Sequence, residues 1–468
     1  MRSSTVSAAC RVLDYVAVSA ALLAITVYLT GGFREWFPWG RVSVTSWARP
    51  LFIALAAIAI RHVLQPRPTI LTRVEAWRRG ALASDAVRAA IPTMLSTRVG
   101  VLLVGFLAVV MFGYRADVPV PWRVYENELL NLPARWDTGW YMGVAIEGYH
   151  WMPSRTSIQQ NIAFFPVYPM LMRYLSLFFG REVMWTGVLV SWAAFFWALI
   201  YLHRFARERF DRDVAQTATM LLASYPFALF FSTAYTESLF LLTIVAACYH
   251  FERNELWQAA CWGLVAGLTR PNGCVLSIPL ALLAIRPLWP ITVRQMRVRD
   301  WIGIADRLAV AALPGIGMLV YSTYIYFLTG HPFQWAAQNA AWGRVYRGLD
   351  ALFAEQAQSI TDYGLYNYAA TRTVDALQLI VVLFFLGTLW WVLRRLGVAY
   401  AALVAVNLVP PLLMGGLISM GRVTSVLFPT FVWLATAIAP THRAAWIAMF
   451  AMVQAICAAA FFTWRPLF

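Results

Sequence analysis

Long apolar runs separated by short polar segments dominate the chain. The runs cover 12–30, 46–64, 98–114, 183–201, 214–232, 236–251, 257–269, 272–285, 308–328, 375–393, 398–416, 424–439 and 444–462. Several approach or exceed the roughly 20 residues that an α-helix needs to cross a bilayer. Apolar positions are continuous rather than alternating, which argues against a membrane β-barrel. The pattern predicts an all-α polytopic membrane protein with about thirteen transmembrane helices. Runs 257–269 and 272–285 are parted only by Arg270-Pro271. They read as one broken helix or as two spans, and arginine placement decides between these.

Basic residues near span ends mark the cytoplasmic side of a membrane protein. Segment 65–97 holds Arg67, Arg73, Arg78, Arg79 and Arg88, with Arg61 and Arg98 at its borders. Placing it in the cytoplasm puts three other basic segments on the same side. These are 203–213, 286–307 (Arg286, Arg294, Arg297, Arg299, Arg307) and Arg394-Arg395. That agreement favours counting 257–269 and 272–285 separately. The opposite side receives 115–182, 233–235, 270–271, 329–374 and 417–423. Residues 163–180 read as a helix lying in the interface or re-entering it. The organisation expected is a segment 1–97, with two N-terminal spans and a basic cytoplasmic loop, followed by a transmembrane catalytic domain 98–468. The latter carries large extracytoplasmic loops at 115–182 and 329–374, and long loops in a compact bundle tend to carry function. No internal repeat is evident, so an inverted-repeat transporter finds no support.

Composition agrees with this reading. The chain is 61% hydrophobic and 13% charged, and its 22 tryptophans and 20 tyrosines suit membrane–water interfaces. The net charge of +15 is carried entirely by arginine. These arginines lie between apolar runs, where topology accounts for them, and no nucleic-acid partner is implied. The five cysteines, Cys10, Cys248, Cys261, Cys274 and Cys457, form no CxxC pair. They read as buried thiols rather than a disulfide or metal framework. Run 12–30 follows Arg2 and Arg11 without a clear small-residue cleavage site, so it reads as a retained anchor. No N-x-Ser/Thr sequon occurs. A bacterial cell membrane is the expected location, or an endoplasmic reticulum membrane with a luminal site in a eukaryote.

Five polar clusters fall on the outer face: Arg135-Trp136-Asp137, Tyr235-Thr236-Glu237, 269–273 (TRPNG), 330–344 (GHPFQWAAQNAAWGR) and 419–422 (SMGR). Ionisable groups near membrane depth are costly and need a partner or a task. Each also has a structural reading. Asp137 is a candidate N-cap for a helix over 138–147, and Glu147 a solvated residue on it. Glu237 suits the positive end of a helix dipole. Arg270 could cap the preceding helix, Arg422 could snorkel, and Trp136, Trp140 and Trp151 could be belt residues. The functional reading gives them complementary work. A carboxylate takes a proton from an acceptor hydroxyl. Arginines neutralise a phosphate leaving with its lipid. Aromatic faces line a sugar or the first units of a lipid chain.

The ordered set RWDTGWYMGVAIEGY, AFFPVYP, AYTESLFLL, GLTRPNG, HPFQWAAQNAAWGR and SMGRVTSVLFPTF resembles the PIG-V-like mannosyltransferases, polytopic glycosyltransferases of the GT-C type. The resemblance runs from about Arg135 to Phe431. It implies a GT-C-like helical bundle that moves mannose from a polyprenyl- or dolichyl-phosphate-mannose donor to a glycan or glycolipid hydroxyl. It assigns Asp137, Glu237, Arg270 and Arg422 to the family's acidic and basic positions. On that reading Asp137 is the general base of an inverting displacement, and Glu237 orients the acceptor or an arginine. Arg270 and Arg422 hold the donor phosphate, with Arg344 and His331 as further candidates. Trp136, Trp140, Tyr141, Asn272 and Gln338 line the sugar or acceptor side.

The chain departs from the family where Gly330-His331-Pro332 replaces a frequent Gly-Asp-Pro. It also carries two additional spans, 12–30 and 46–64, before the WD loop. No cluster has convincing metal-ligand spacing, so no metal site is assigned, although a divalent ion is compatible with the chemistry. Three alternatives remain: another sugar or a protein acceptor, a lipid-sugar flippase, and a non-catalytic assembly subunit.

Overall fold

A computed structural model describes residues 2–37, 40–115, 120, 122–288 and 298–467. Arg294 and Arg297 lie outside the described residues. Each apolar run lies on helix. Among the described residues, seven helices are long and apolar enough to cross a membrane: Ala8–Thr30, Asp85–Phe112, Val183–Arg209, Val298–Thr329, Thr373–Leu396, Val398–Gly415 and Pro440–Phe462. An eighth results if Arg212–Ser224 and Pro226–Ser232, bent by 81°, count as one span. The other runs form shorter helices: Ala48–Leu64, Glu237–Glu252, Leu256–Thr269, Pro271–Ile285 and Phe428–Ala437. At 1.5 Å per residue these fall short of a hydrocarbon core about 30 Å thick. Thirteen complete spans are therefore not reproduced.

The short helix Glu237–Glu252 is apolar around its circumference, and every residue from Glu237 to Tyr249 is buried. It packs between Val183–Arg209 and Leu256–Thr269 at the centre of the main core. Leu256–Thr269 crosses Val298–Thr329 closely because the contact uses glycine. A Cβ at Gly267 would lie 1.9 Å from the Pro314 carbonyl oxygen, and one at Gly317 would lie 2.3 Å from that of Leu264.

Two arginines read as border residues of a loop are instead structural. The run expected at 98–114 begins at Asp85, so the 97/98 division falls inside a helix. Arg98 is fully buried there. Its guanidinium donates to the Ala223 carbonyl at 2.6 Å, to Ser232 Oγ at 3.1 Å and to the Ala228 carbonyl. Gln454 donates to the Ala223 and Tyr225 carbonyls. Together they satisfy backbone groups that the 81° bend frees, which an apolar setting requires. Arg61 likewise reaches inward to buried Asp14 at 2.9 Å, and Arg73 meets the same carboxylate at 2.6 Å. Of the cysteines, Cys10, Cys248 and Cys457 are buried, Cys274 is half-buried and Cys261 is exposed on a helix face.

Between the first two helices lie the only strands among the described residues, an antiparallel hairpin of Phe33–Phe37 and Gly40–Val44. Glu35 on this hairpin pairs with Arg173 at 3.0 Å and Arg181 at 3.2 Å. Arg173 belongs to Val167–Ser176, the helix anticipated within 163–180. The N-terminal helices are thereby tied to the 115–182 loop. Burial raises the Glu35 pKa, but hydrogen bonds and charge from both arginines outweigh it and leave the value below the ordinary 4.5. A folded value below the unfolded one means stability that is present above the unfolded pKa and lost as pH falls through the folded one. Hydrogen exchange over 33–37 and 40–44, corrected for intrinsic rates, is expected to stay protected at neutral pH and to lose protection only as pH falls below the ordinary carboxylate value of 4.5. Glu35→Gln should abolish that pH dependence; equal acid sensitivity in the variant would contradict the assignment.

Candidate active site

The segment around Asp137 is held from below by Arg135, which is fully buried. Its guanidinium donates to the carbonyls of Phe462 at 2.7 Å, Asn131 at 3.0 Å and Ala134 at 2.8 Å, and to the Tyr114 hydroxyl at 3.1 Å. Arg135 is thus a clamp that fixes the loop to the end of the last helix. Trp136 follows with φ of 48°, a left-handed conformation rare for a bulky side chain. Across this turn the neighbours separate: Arg135 reaches the Phe462 carbonyl, and Asp137 reaches Arg422.

Helix Thr138–Glu147 starts where the sequence placed it, and Asp137 occupies its N-cap position. Its side chain caps nothing, however. Oδ2 accepts from Arg422 Nη1 at 2.5 Å, while the Asp137 backbone N–H donates to the Tyr235 hydroxyl at 3.0 Å. The Asp137 side chain remains 20% exposed. Glu237 opens Glu237–Glu252 and is completely buried. Its Oε1 accepts from Arg270 Nη1 at 2.5 Å and from Arg422 Nε. Its Oε2 is buried and has no hydrogen-bond partner among the described residues.

Arg270 ends Leu256–Thr269 in an extended conformation before Pro271 starts a short 3-10 turn. Its guanidinium leaves the helix carbonyls and joins Glu237. Arg422 sits on the single-turn helix Met420–Thr424, behind Ser419 at φ of 61°. It is no snorkeller: it is buried, bridges both carboxylates and lies 4.7 Å over the Tyr235 ring. This turn can approach so closely because residue 421 is glycine; a Cβ there would lie 2.3 Å from the Phe227 ring. The Gly421 N–H is taken by Gln378 Oε1 at 2.5 Å. Tyr141 completes the inner shell, with its hydroxyl 3.4 Å from Arg422 Nη2 and 3.2 Å from Thr236 Oγ1.

Arg344 is half-buried and, among the described residues, makes no side-chain hydrogen bond or ion pair. Burial pushes its guanidinium down to about 10; nearby Arg422 and Arg270 push the same way, and Asp137 opposes them. It stays protonated at neutral pH. Three guanidiniums therefore share a site with two carboxylates, and the surplus positive charge suits an anion. Beside it, Trp140 stacks on Phe164 at 5.7 Å, and Trp342 meets both rings edge-on at 5.7 and 5.8 Å.

Residues 120–286 match the protein-family model described as mannosyltransferase (PIG-V). The comparison with curated proteins finds no match. Among solved structures, the crystal structure of the Archaeoglobus fulgidus oligosaccharyltransferase with zinc and sulfate aligns at 14% identity and a TM-score of 0.42. The alignment covers 79% of this chain and 53% of that one, so this chain spans about half its length. The PIG-V match contains Asp137, Glu237 and Arg270, whereas Arg344 and Arg422 lie beyond it.

Several residues anticipated at the site turn elsewhere. Within the matched segment, Trp136 donates to the Phe461 carbonyl at 3.3 Å and packs on Trp464. Asn272 donates to Asn407 Oδ1 at 2.8 Å. Glu147, read from the sequence as a solvated residue of helix Thr138–Glu147, is 70% exposed there. Beyond the segment, His331 is exposed at the end of Val298–Thr329. Gln338 is buried and donates to the Ile158 and Thr156 carbonyls, so it ties the two long loops together. Phe164 and Trp342 were not singled out in the sequence, although they lie in AFFPVYP and AAWGR, and Tyr235 was named only within the Tyr235-Thr236-Glu237 cluster, with no role of its own. Among the described residues no group of three His, Cys, Asp or Glu gathers as a metal cluster would.

Proposed function

We propose that the protein transfers mannose from a polyprenyl-phosphate donor to a glycan or glycolipid hydroxyl at the extracytoplasmic membrane face. One observation carries this reading: Arg422 is joined to Asp137 and Glu237, while Arg344 beside it makes no ion pair among the described residues. The donor phosphate takes that place, bound by Arg344 and Arg422, and Arg270 adds positive charge through the shared Glu237. Asp137 Oδ1, which has no hydrogen-bond partner among the described residues, accepts the proton of the acceptor hydroxyl. The acceptor oxygen forms the new bond to the anomeric carbon as the bond to the phosphate oxygen breaks, with inversion. The electron pair leaves on the lipid phosphate, where the guanidiniums stabilise it. Glu237, wholly buried, is a positioning residue that holds Arg270 and Arg422 in register. Trp140, Phe164 and Trp342 offer an aromatic wall to the sugar or the first isoprene units. The N-terminal helices ahead of Asp85–Phe112 brace the 115–182 loop through Glu35.

The test is mannosyl transfer by protein in proteoliposomes. Product is expected from polyprenyl-phosphate-mannose and not from a nucleotide-mannose alone; the reverse would overturn the proposal. Arg344→Gln is expected to lower kcat/KM for the lipid donor about 10- to 100-fold, the loss of one charge-assisted hydrogen-bond set. An unchanged value would remove Arg344 from the donor site.

A further inference from the structure

Glu237–Glu252 has one end in the Asp137–Arg422 cluster and the other about 22 Å away at Glu252. There Glu252 lines a cavity of about 420 Å³ with Glu208, Arg209, Phe210, Arg286 and Arg395. Val183–Arg209, Glu237–Glu252, Ser277–Ile285 and Thr373–Leu396 all end at this place. Cations at helix C-termini first serve the carbonyl ends. Arg209 does so, donating to the Phe205 carbonyl at 2.9 Å while pairing with Glu252. Glu208 is occupied by Arg253 at 2.7 Å and Tyr249 at 3.0 Å. Both carboxylates of the cavity are therefore taken. Arg286 and Arg395 are exposed and, among the described residues, have no hydrogen bond or carboxylate partner, although Arg395 rests over the Phe210 ring at 5.2 Å.

The flank of this cavity is apolar. Trp391 precedes Arg395 by four residues and so shares its helix face. It is 54% exposed, and Trp390 beside it is 56% exposed. Arginines above exposed tryptophans at the end of a membrane-length helix match the step from headgroup to acyl chain. We infer that this cavity binds the headgroup phosphate of an anionic phospholipid, through Arg286 and Arg395, with an acyl chain along Trp391. The place of the cavity at the ends of membrane-length helices and the exposed tryptophans beside it favour a lipid over free phosphate.

Native mass spectrometry of the full-length protein, titrated with phosphatidylglycerol, tests this. Each arginine near a lipid phosphate contributes about fivefold in affinity, so Arg286→Gln should weaken binding about fivefold and Arg286→Gln/Arg395→Gln about thirtyfold. The exposed pair Arg78→Gln/Arg79→Gln should leave it unchanged. Phosphatidylglycerol binding within twofold of wild type in the double variant would overturn the inference. So would displacement of the lipid by an equal concentration of inorganic phosphate.

Discussion

Asp137→Asn is expected to lower mannosyl transfer about 10²- to 10⁴-fold, the range over which a positioned general base contributes. The substitution keeps the shape of the side chain, and its amide oxygen can still accept from Arg422 Nη1. The backbone N–H bond to Tyr235 is untouched, and the site is already partly open to solvent. Folding should therefore survive, and thermal unfolding in detergent should remain within about 1 kcal/mol of wild type. Near-wild-type transfer by this variant would remove Asp137 from the role of base. Loss of transfer together with loss of folding would instead mark Asp137 as structural.

Glu237→Ala should act the other way round, through stability first. Glu237 neutralises Arg270 and Arg422 from a fully buried position. Its removal leaves two guanidiniums facing each other with only Asp137 to answer them. Breaking a buried ion pair from one side costs about 3–5 kcal/mol, enough to lower the unfolding temperature markedly. Glu237→Gln/Arg270→Gln, which removes one charge of each sign, should recover part of that loss. If Glu237→Ala unfolds like wild type, then the buried carboxylate does not hold the arginines together.

Much of this cluster is legible in the sequence. Asp137, Glu237, Arg270 and Arg422 each stand out as a charge in an apolar setting, and such charges have to find one another. The convergence of four segments far apart in sequence meets that requirement. The helices were legible for the same reason, since apolar runs fold as helices wherever lipid or core surrounds them. What periodicity could not separate was a full span from a short helix enclosed by others, because both are apolar all round. Hence Glu237–Glu252 read as a span, although it is the buried axis of the bundle. Arg61 and Arg98 misled for a related reason. A positive charge beside an apolar run reads as a topology signal, yet here each pays its desolvation through buried partners, Asp14 for one and backbone carbonyls at a helix bend for the other. Arg135, the companion of Asp137 in the loop, likewise proved to be a clamp. Phe164 and Trp342, and the role of Tyr235, stayed hidden because an aromatic residue in a membrane chain gives no local sign of whether it faces lipid, core or substrate.

A structure of the protein with a polyprenyl-phosphate bound is the decisive measurement. The expected result is a lipid phosphate within hydrogen-bond distance of Arg344 and Arg422, with Asp137 directed at the space beside it. A phosphate bound away from these arginines, with the Asp137–Arg422–Glu237–Arg270 network intact and closed, would contradict the proposed site.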